Sequence, residues 1–207
     1  MFDKKEFIFV CSNLYKKNLI AGYGGNISIR EENLLLITPS GVNKGFINEE
    51  DVLIVDFNGK VIEGKGKPST EILMHFEIYK KREDVKAIIH THAPFSTTLS
   101  LSGIKLPDNL FPESTIHLGK TTFIPYIMPG TLDLAKAVSD GLESGDVAFL
   151  GNHGVTVVGK NLLDAFNKIE IVEETSKCYI LSLLIGKTNF LPDIDLNIFL
   201  NLYKNLR

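Results

Sequence analysis

The stretch from Val52 to Gly64, "VLIVDFNGKVIEG", holds two short apolar runs hinged on Asn58-Gly59. Asn-Gly between such runs predicts a β-hairpin with a type I′ turn, in which both turn residues take positive φ. A hairpin joins antiparallel neighbours, so a sheet built on it is mixed or mostly antiparallel and not doubly wound parallel. Further strands are expected from "NISIR" and "LLLIT" around the polar "EEN", from "VKAIIHTH", and from "TTFIPYI". Two more come from "DVAFLGNHGVTVVG", broken at Gly151-Asn152-His153-Gly154. Between the strands, apolar residues recur at helical spacing. Lys4 to Ile20 carries Phe7, Val10, Cys11 and Leu14 on one face. From Pro68, "PSTEILMHFEIYKKR" reads as a helix with Ser69 as N-cap and Leu73, Phe76 and Lys80 on a shared face. "PFSTTLSLSG" gives a short helix ending on Gly103, and "GTLDLAKAVSDGLES" one capped by Thr131. Asn161 to about Leu184 is a long helix stopped by Gly186, and "LNIFLNLYKNLR" is a last short one. "IKLPDNLFPES" reads as a loop. The sum is an α/β fold in three layers, with a central mixed, mostly antiparallel sheet of seven or more strands covered by helices. With no internal repeat, low-complexity tract or linker, residues 1–207 are expected to form one domain.

A net charge of −3 leaves no basic surface to favour nucleic acid or an anionic membrane as partner. The two cysteines, Cys11 and Cys178, each sit inside an apolar helical pattern, as small buried residues of a reducing compartment do. "MFDKKEF" turns amphipathic at once, unlike a signal peptide. The longest apolar stretch, "CYILSLLIG", falls far short of the ~20 residues of a membrane span. A cytoplasmic globule is the expectation.

Chemistry enters with "KAIIHTHAPFS". Residues two apart in a strand project from the same face, so His90 and His92 hold their imidazoles side by side. Two imidazoles this close and desolvated repel when protonated, and a divalent metal resolves the conflict. His153 lies between two glycines at a strand break, where a bent backbone can aim its ring inward. Glu71 stands in the first turn of the helix that precedes the histidine strand. His90, His92, His153 and Glu71 form a donor set for a first-row transition metal, with zinc the default and manganese or cobalt compatible. His75, four residues after Glu71, is expected in a supporting or surface role, and His117 in none.

Three segments suit an anion such as phosphate. "GGNIS" offers the Asn26 amide, "TPSGVNKG" the Ser40 hydroxyl and the Gly41 N–H, and "KPSTE" presents Ser69 and Thr70 at a helix start. Glu71, two residues after Ser69, ties that pocket to the metal set. A small phosphorylated sugar spanning both fits the layout.

Taken in order, "GGNIS", "TPSG", "KPSTE", "HTH", "PYIMPGT" and "NHG" resemble the class II aldolase/adducin family from about residue 5 to residue 186. The resemblance implies His90, His92 and His153 as zinc ligands and Glu71 as general base, touching the metal when no substrate is bound. It implies Asn26, Ser40, Gly41, Ser69 and Thr70 as the phosphate site, and a fourfold homotetramer with active sites between subunits. The activity implied is that of a zinc-dependent aldolase cleaving a ketose 1-phosphate to dihydroxyacetone phosphate and an aldehyde. Other branches of the family are dehydratases, 4-epimerases and decarboxylases of sugar phosphates, and a non-catalytic assembly module, adducin. The 4-epimerases use Asp at the position of Glu71. The segment "DNLFPES" departs from the pattern: Phe111 stands where the aldolases carry a tyrosine acid, which leaves Tyr126, Glu113 and Tyr203 as candidate proton donors.

Overall fold

Eight strands run in the spatial order β4-β3-β2-β1-β5-β8-β7-β6 in the computed structural model, which describes residues 2–206. In chain order they are β1 Asn26–Glu31, β2 Leu34–Ile37, β3 Leu53–Asp56, β4 Val61–Glu63, β5 Ala87–Thr91, β6 Thr121–Ile124, β7 Val147–Leu150 and β8 Gly154–Gly159. Every neighbouring pair is antiparallel except β6 and β7. The helices are α1 Lys4–Lys16, α2 Ile72–Lys81, α3 Pro94–Leu101, α4 Pro112–Leu118, α5 Leu132–Gly141, α6 Leu162–Ile185 and α7 Asp193–Leu206.

The period of two along each strand sorts its side chains between two cores. Ile27 of β1, Ala87 and Ile89 of β5, and Val155 and Val157 of β8 pack with α1, α3 and α6 on one face. Ile88 and Val158 pack with Met74, Ile78 and Tyr79 of α2 and with Leu134 and Val138 of α5 on the other. That is the three-layer mixed sheet the pattern of strands and helices predicted. The alternation also decides where polar residues go. Asn26 pairs with His90, and His90 with Thr156, across three adjacent central strands. All three share the parity that faces α2, and all three are buried.

Several local expectations need correction. The turn at Asn58-Gly59 is not type I′, because Gly59 has φ +81° while Asn58 is not among the positive-φ residues. The Asp56 carboxylate accepts from the N–H groups of Asn58 and Lys60, each at 2.9 Å, and this side-chain-stabilised turn replaces the mirror-image one. Helix α2 begins at Ile72 and not near Pro68. A bridge between Pro39 and Pro68 and the 2.9 Å hydrogen bond from Ser40 N–H to Lys67 O keep that segment extended. Ser69 is therefore no N-cap, although its hydroxyl accepts from Glu71 N–H at 3.3 Å. The buried face of α2 is Met74, His75, Ile78 and Tyr79, with Leu73 and Lys80 exposed. The expected stripe missed it because His75 and Tyr79 count as polar in the pattern yet are buried with their polar tips paired. Helix α4, in the segment read as a loop, has Pro112 in its first turn, a start signal too short to show periodicity.

Candidate metal and anion site

Each imidazole is aimed by a different local device. His90 is the next-to-last residue of the buried strand β5, fully covered and facing α2. Its Nδ1 lies 3.0 Å from Thr156 Oγ1, which in turn lies 3.7 Å from Met74 Sδ. A hydroxyl that donates to the thioether accepts from His90 Nδ1–H, which leaves the Nε2 lone pair of His90 facing the site. His92 sits just past the strand, where the backbone turns into α3. His153 sits in the turn between β7 and β8, beside Asn152 at φ +54°. The following Gly154 is required by close approach and not by an unusual φ, since a Cβ there would collide with the Thr91 carbonyl oxygen and lie 2.8 Å from His92 Cδ2. The turn that carries His153 thus presses directly on the strand end that carries His90 and His92.

The three rings converge. Their centroids are 4.7, 5.0 and 5.2 Å apart, and one ring nitrogen from each lies within 4.8 Å of the others. His90 Nε2 and His92 Nε2 are 3.1 Å apart. Glu71 closes the set: its Oε2 is 3.3 Å from His90 Nε2 and its Oε1 is 3.3 Å from His153 Nε2. Burial pushes the His90 pKa well below the ordinary histidine value, helped by charge on His153, His92 and His75. His92, though its residue stays open to solvent, is lowered to about 4, first by partial burial and then by the nearby His153 and Lys44. A buried imidazole held neutral with its Nε2 lone pair turned into the site, as in His90, is able to ligate a metal ion.

The donor set fits such an ion. Glu71 Oε1 and His153 Nδ1 are buried and without a hydrogen-bond partner among the described residues. A tetrahedral ion with bonds to nitrogen of ~2.0–2.1 Å separates its ligand atoms by about 3.3–3.4 Å, near the spacings observed. Three imidazoles and a carboxylate suit zinc and, with less selectivity, manganese or cobalt.

The anion-binding candidates divide. Ser40 and Gly41 are exposed in the turn after β2, and Thr70 is exposed just before α2. The Pro39–Pro68 bridge brings these two segments side by side, and Gly130 of "PYIMPGT" packs against the Thr70 carbonyl, 3.3 Å from its oxygen to a Cβ built there. Ser69, next to Pro68, is buried. Asn26 is buried as well, and its amide is already engaged: Nδ2 donates to Glu71 Oε2 at 2.9 Å and Oδ1 lies 2.5 Å from His75 Nε2. His75 is fully buried, which excludes the surface role, whereas His117 is exposed on α4.

Of the candidate proton donors, Glu113 and Tyr203 line a cavity of about 750 Å³ between α4, α6 and α7, together with Phe111 and His117 and none of the metal-set residues. Tyr126 is exposed, its hydroxyl 3.7 Å from Met128 Sδ, and its backbone N–H abuts Gly151 at the start of the turn bearing His153. Sequence reasoning missed Thr156 and Lys44. Thr156 is found only through strand register, which a single sequence does not display. Lys44 is buried, with Nζ donating to the Tyr23 carbonyl at 2.6 Å, and burial lowers its pKa. It ties the turn after β2 to the glycine loop before β1.

Residues 5–180 match the profile of the Class II Aldolase and Adducin N-terminal domain. An L-fuculose phosphate aldolase of Methanocaldococcus jannaschii is 43% identical over 185 residues, which is 89% of this chain and 99% of the relative. A 3-oxo-tetronate 4-phosphate decarboxylase of Haemophilus influenzae is 34% identical over 198 residues, 93% of each chain. A solved L-fuculose 1-phosphate aldolase superposes with a TM-score of 0.90 at 35% identity, covering 97% of this chain and 95% of its own.

Proposed function

Because the chain belongs to the class II aldolase and adducin family, we propose that it is a metal-dependent aldolase cleaving a ketose 1-phosphate of the L-fuculose 1-phosphate type to dihydroxyacetone phosphate and an aldehyde. The observation that carries this reading is the convergence of His90, His92 and His153 around the carboxylate of Glu71. The three imidazoles would hold the ion, zinc by preference, and Glu71 would share it before substrate arrives. When bound, the ion supplies Lewis acidity toward the oxyanion that develops as the C3–C4 bond breaks.

The remaining work falls to the chain's own groups. Glu71 is the general base, removing the C3 proton of dihydroxyacetone phosphate in the condensing direction and returning it to C3 on cleavage. Asn26 keeps Oε2 of that carboxylate oriented through its 2.9 Å hydrogen bond. Ser40, Gly41, Ser69 and Thr70, on two adjoining segments, seat the phosphate with the remaining N–H of the Asn26 amide. The clamp supplies the orientation that lets a weak base suffice. Tyr126 is the candidate donor to the aldehyde oxygen that lies nearest the His153 turn in sequence and packing. A homotetramer with sites between subunits belongs to the same reading, supported by exposed apolar residues such as Leu184, Ile185 and Ile194. A cytoplasmic location belongs to the same reading; no described helix is long and apolar enough to cross a membrane.

The relative named a 3-oxo-tetronate 4-phosphate decarboxylase supports a second reading, loss of carbon dioxide from a phosphorylated keto acid in the same frame. A panel of ketose 1-phosphates, with dihydroxyacetone phosphate measured enzymatically, tests the first reading, and carbon dioxide release from 3-oxo-tetronate 4-phosphate the second. Release of dihydroxyacetone phosphate from no member of the panel, with metal bound, would defeat the aldolase reading.

A further inference from the structure

Behind Glu71 and Asn26 runs a line of buried polar groups, His75, Ser28 and Tyr79, that the proposed reaction leaves without a role. Tyr79 Oη lies 2.8 Å from Ser28 Oγ, Ser28 Oγ 2.6 Å from His75 Nδ1, His75 Nε2 2.5 Å from Asn26 Oδ1, and Asn26 Nδ2 2.9 Å from Glu71 Oε2. The polarity of this line follows from its ends. A carboxylate oxygen only accepts, so the Asn26 amide must turn its NH2 group to Glu71 and its carbonyl to His75. His75 must then donate from Nε2. Burial keeps the ring neutral, with its pKa lowered to about 3, so it owns one N–H and Nδ1 is an acceptor. The Ser28 hydroxyl therefore donates to Nδ1, and the Tyr79 hydroxyl is left to donate to Ser28 Oγ or to the Ser28 carbonyl, 3.1 Å away. From Ser28 onward every donor in the line points toward Glu71.

We propose that His75 is a positioning residue that fixes, through the Asn26 amide, the orientation of the Glu71 carboxylate. With the opposite ring tautomer, His75 would face Asn26 with a lone pair, the amide would reverse, and two oxygens would confront each other where one hydrogen bond now stands. The ring thus selects which face the amide shows to the base. A histidine that merely fills the space between α2 and β1 would not need this polarity. The inference rests on Glu71 being the base of the proposed aldolase.

The test compares His75→Leu, which removes the donor, with His75→Gln, whose side-chain amide can place an N–H near the position of Nε2. His75→Leu is expected to lose about 10- to 100-fold in kcat, the scale for outer partners of a site, with KM within about threefold and bound zinc at the parent level. His75→Gln should recover kcat to within about fivefold of the parent. In an Asn26→Ala background, His75→Leu should add nothing, because its effect passes through that amide. Long-range proton–nitrogen NMR on the metal-free parent should find His75 as the Nε2–H tautomer, and that readout stands if His75→Leu fails to fold. An Nδ1–H tautomer, a zinc-loaded His75→Leu with parental kcat, or a folded His75→Gln as slow as His75→Leu would each overturn the proposal. A parent chain without aldol cleavage would instead sink the proposed function and leave the tautomer result to judge the hydrogen-bond line.

Discussion

Acidifying the metal-free protein tests the buried histidines as a set. A histidine whose folded pKa is depressed takes up its proton more readily when unfolded. Its contribution to stability is complete above the unfolded pKa of ~6.5 and is lost as pH falls toward the folded value. For His75, lowered to about 3 by burial, that window runs from about pH 6.5 down to about pH 3. At pH 5 an unfolded ring prefers its charged form by about thirtyfold, which at 1.36 kcal/mol per tenfold is about 2 kcal/mol. His90 is shifted in the same direction by burial and by its imidazole neighbours, and the unfolded ring caps its share at about the same 2 kcal/mol. His92 is too open to solvent to add a comparable share. Unfolded Asp and Glu, with pKa values near 4, contribute little above pH 5. Urea unfolding of the chelated protein at pH 7 and pH 5 should therefore differ by about 2–4 kcal/mol. His75→Gln, which cannot titrate, should remove about half of that difference. A loss under about 1 kcal/mol would mean that these rings reach solvent or a counter-charge, and the account of a neutral, desolvated donor set would fail.

Three further outcomes follow from the same geometry. Glu71→Gln should retain fold and bound metal while turnover falls by ~10²-fold or more; kcat within a few-fold of the parent, by steady-state assay, would remove Glu71 from the role of base. Chelation should leave a folded but inactive protein that zinc restores, followed by circular dichroism and metal analysis, and a chain that binds no ion at any loading would end the metal reading. Gly154→Ala forces a Cβ onto the Thr91 carbonyl, so it should cost about 1–3 kcal/mol of stability and lower metal occupancy by displacing the His153 turn. Parental melting temperature and metal content would show that this close approach is not needed.

What the sequence displayed and what it hid divide along one physical line. Strands and long helices advertise themselves through apolar periodicity, and "HTH" with "NHG" advertises chemistry because those residues are rare and costly in such places. The eight-stranded sheet and the meeting of His90, His92 and His153 were legible for that reason. The buried face of α2 was not, because periodicity counts His75 and Tyr79 as polar while the fold hides both behind hydrogen bonds from β1. Their partners Asn26 and Ser28 lie 49 and 51 residues away in sequence, and only the antiparallel register of β1 on β5 brings them under the helix. The same register sets Thr156 behind His90. The proposed ligands and base are thus written locally, while the groups that would orient them are written in strand pairing. Asn26 joins the two orders: the glycine-rich loop made it an expected phosphate donor, and its amide donates to the Glu71 carboxylate. On the proposed reading, an anion drawing on that amide would act on the orientation of Glu71 as well, which would couple phosphate seating and base alignment through one side chain. Inorganic phosphate should accordingly perturb the His75 Nε2–H resonance of the metal-free protein, and an unmoved resonance at saturating phosphate would separate the two roles proposed for Asn26.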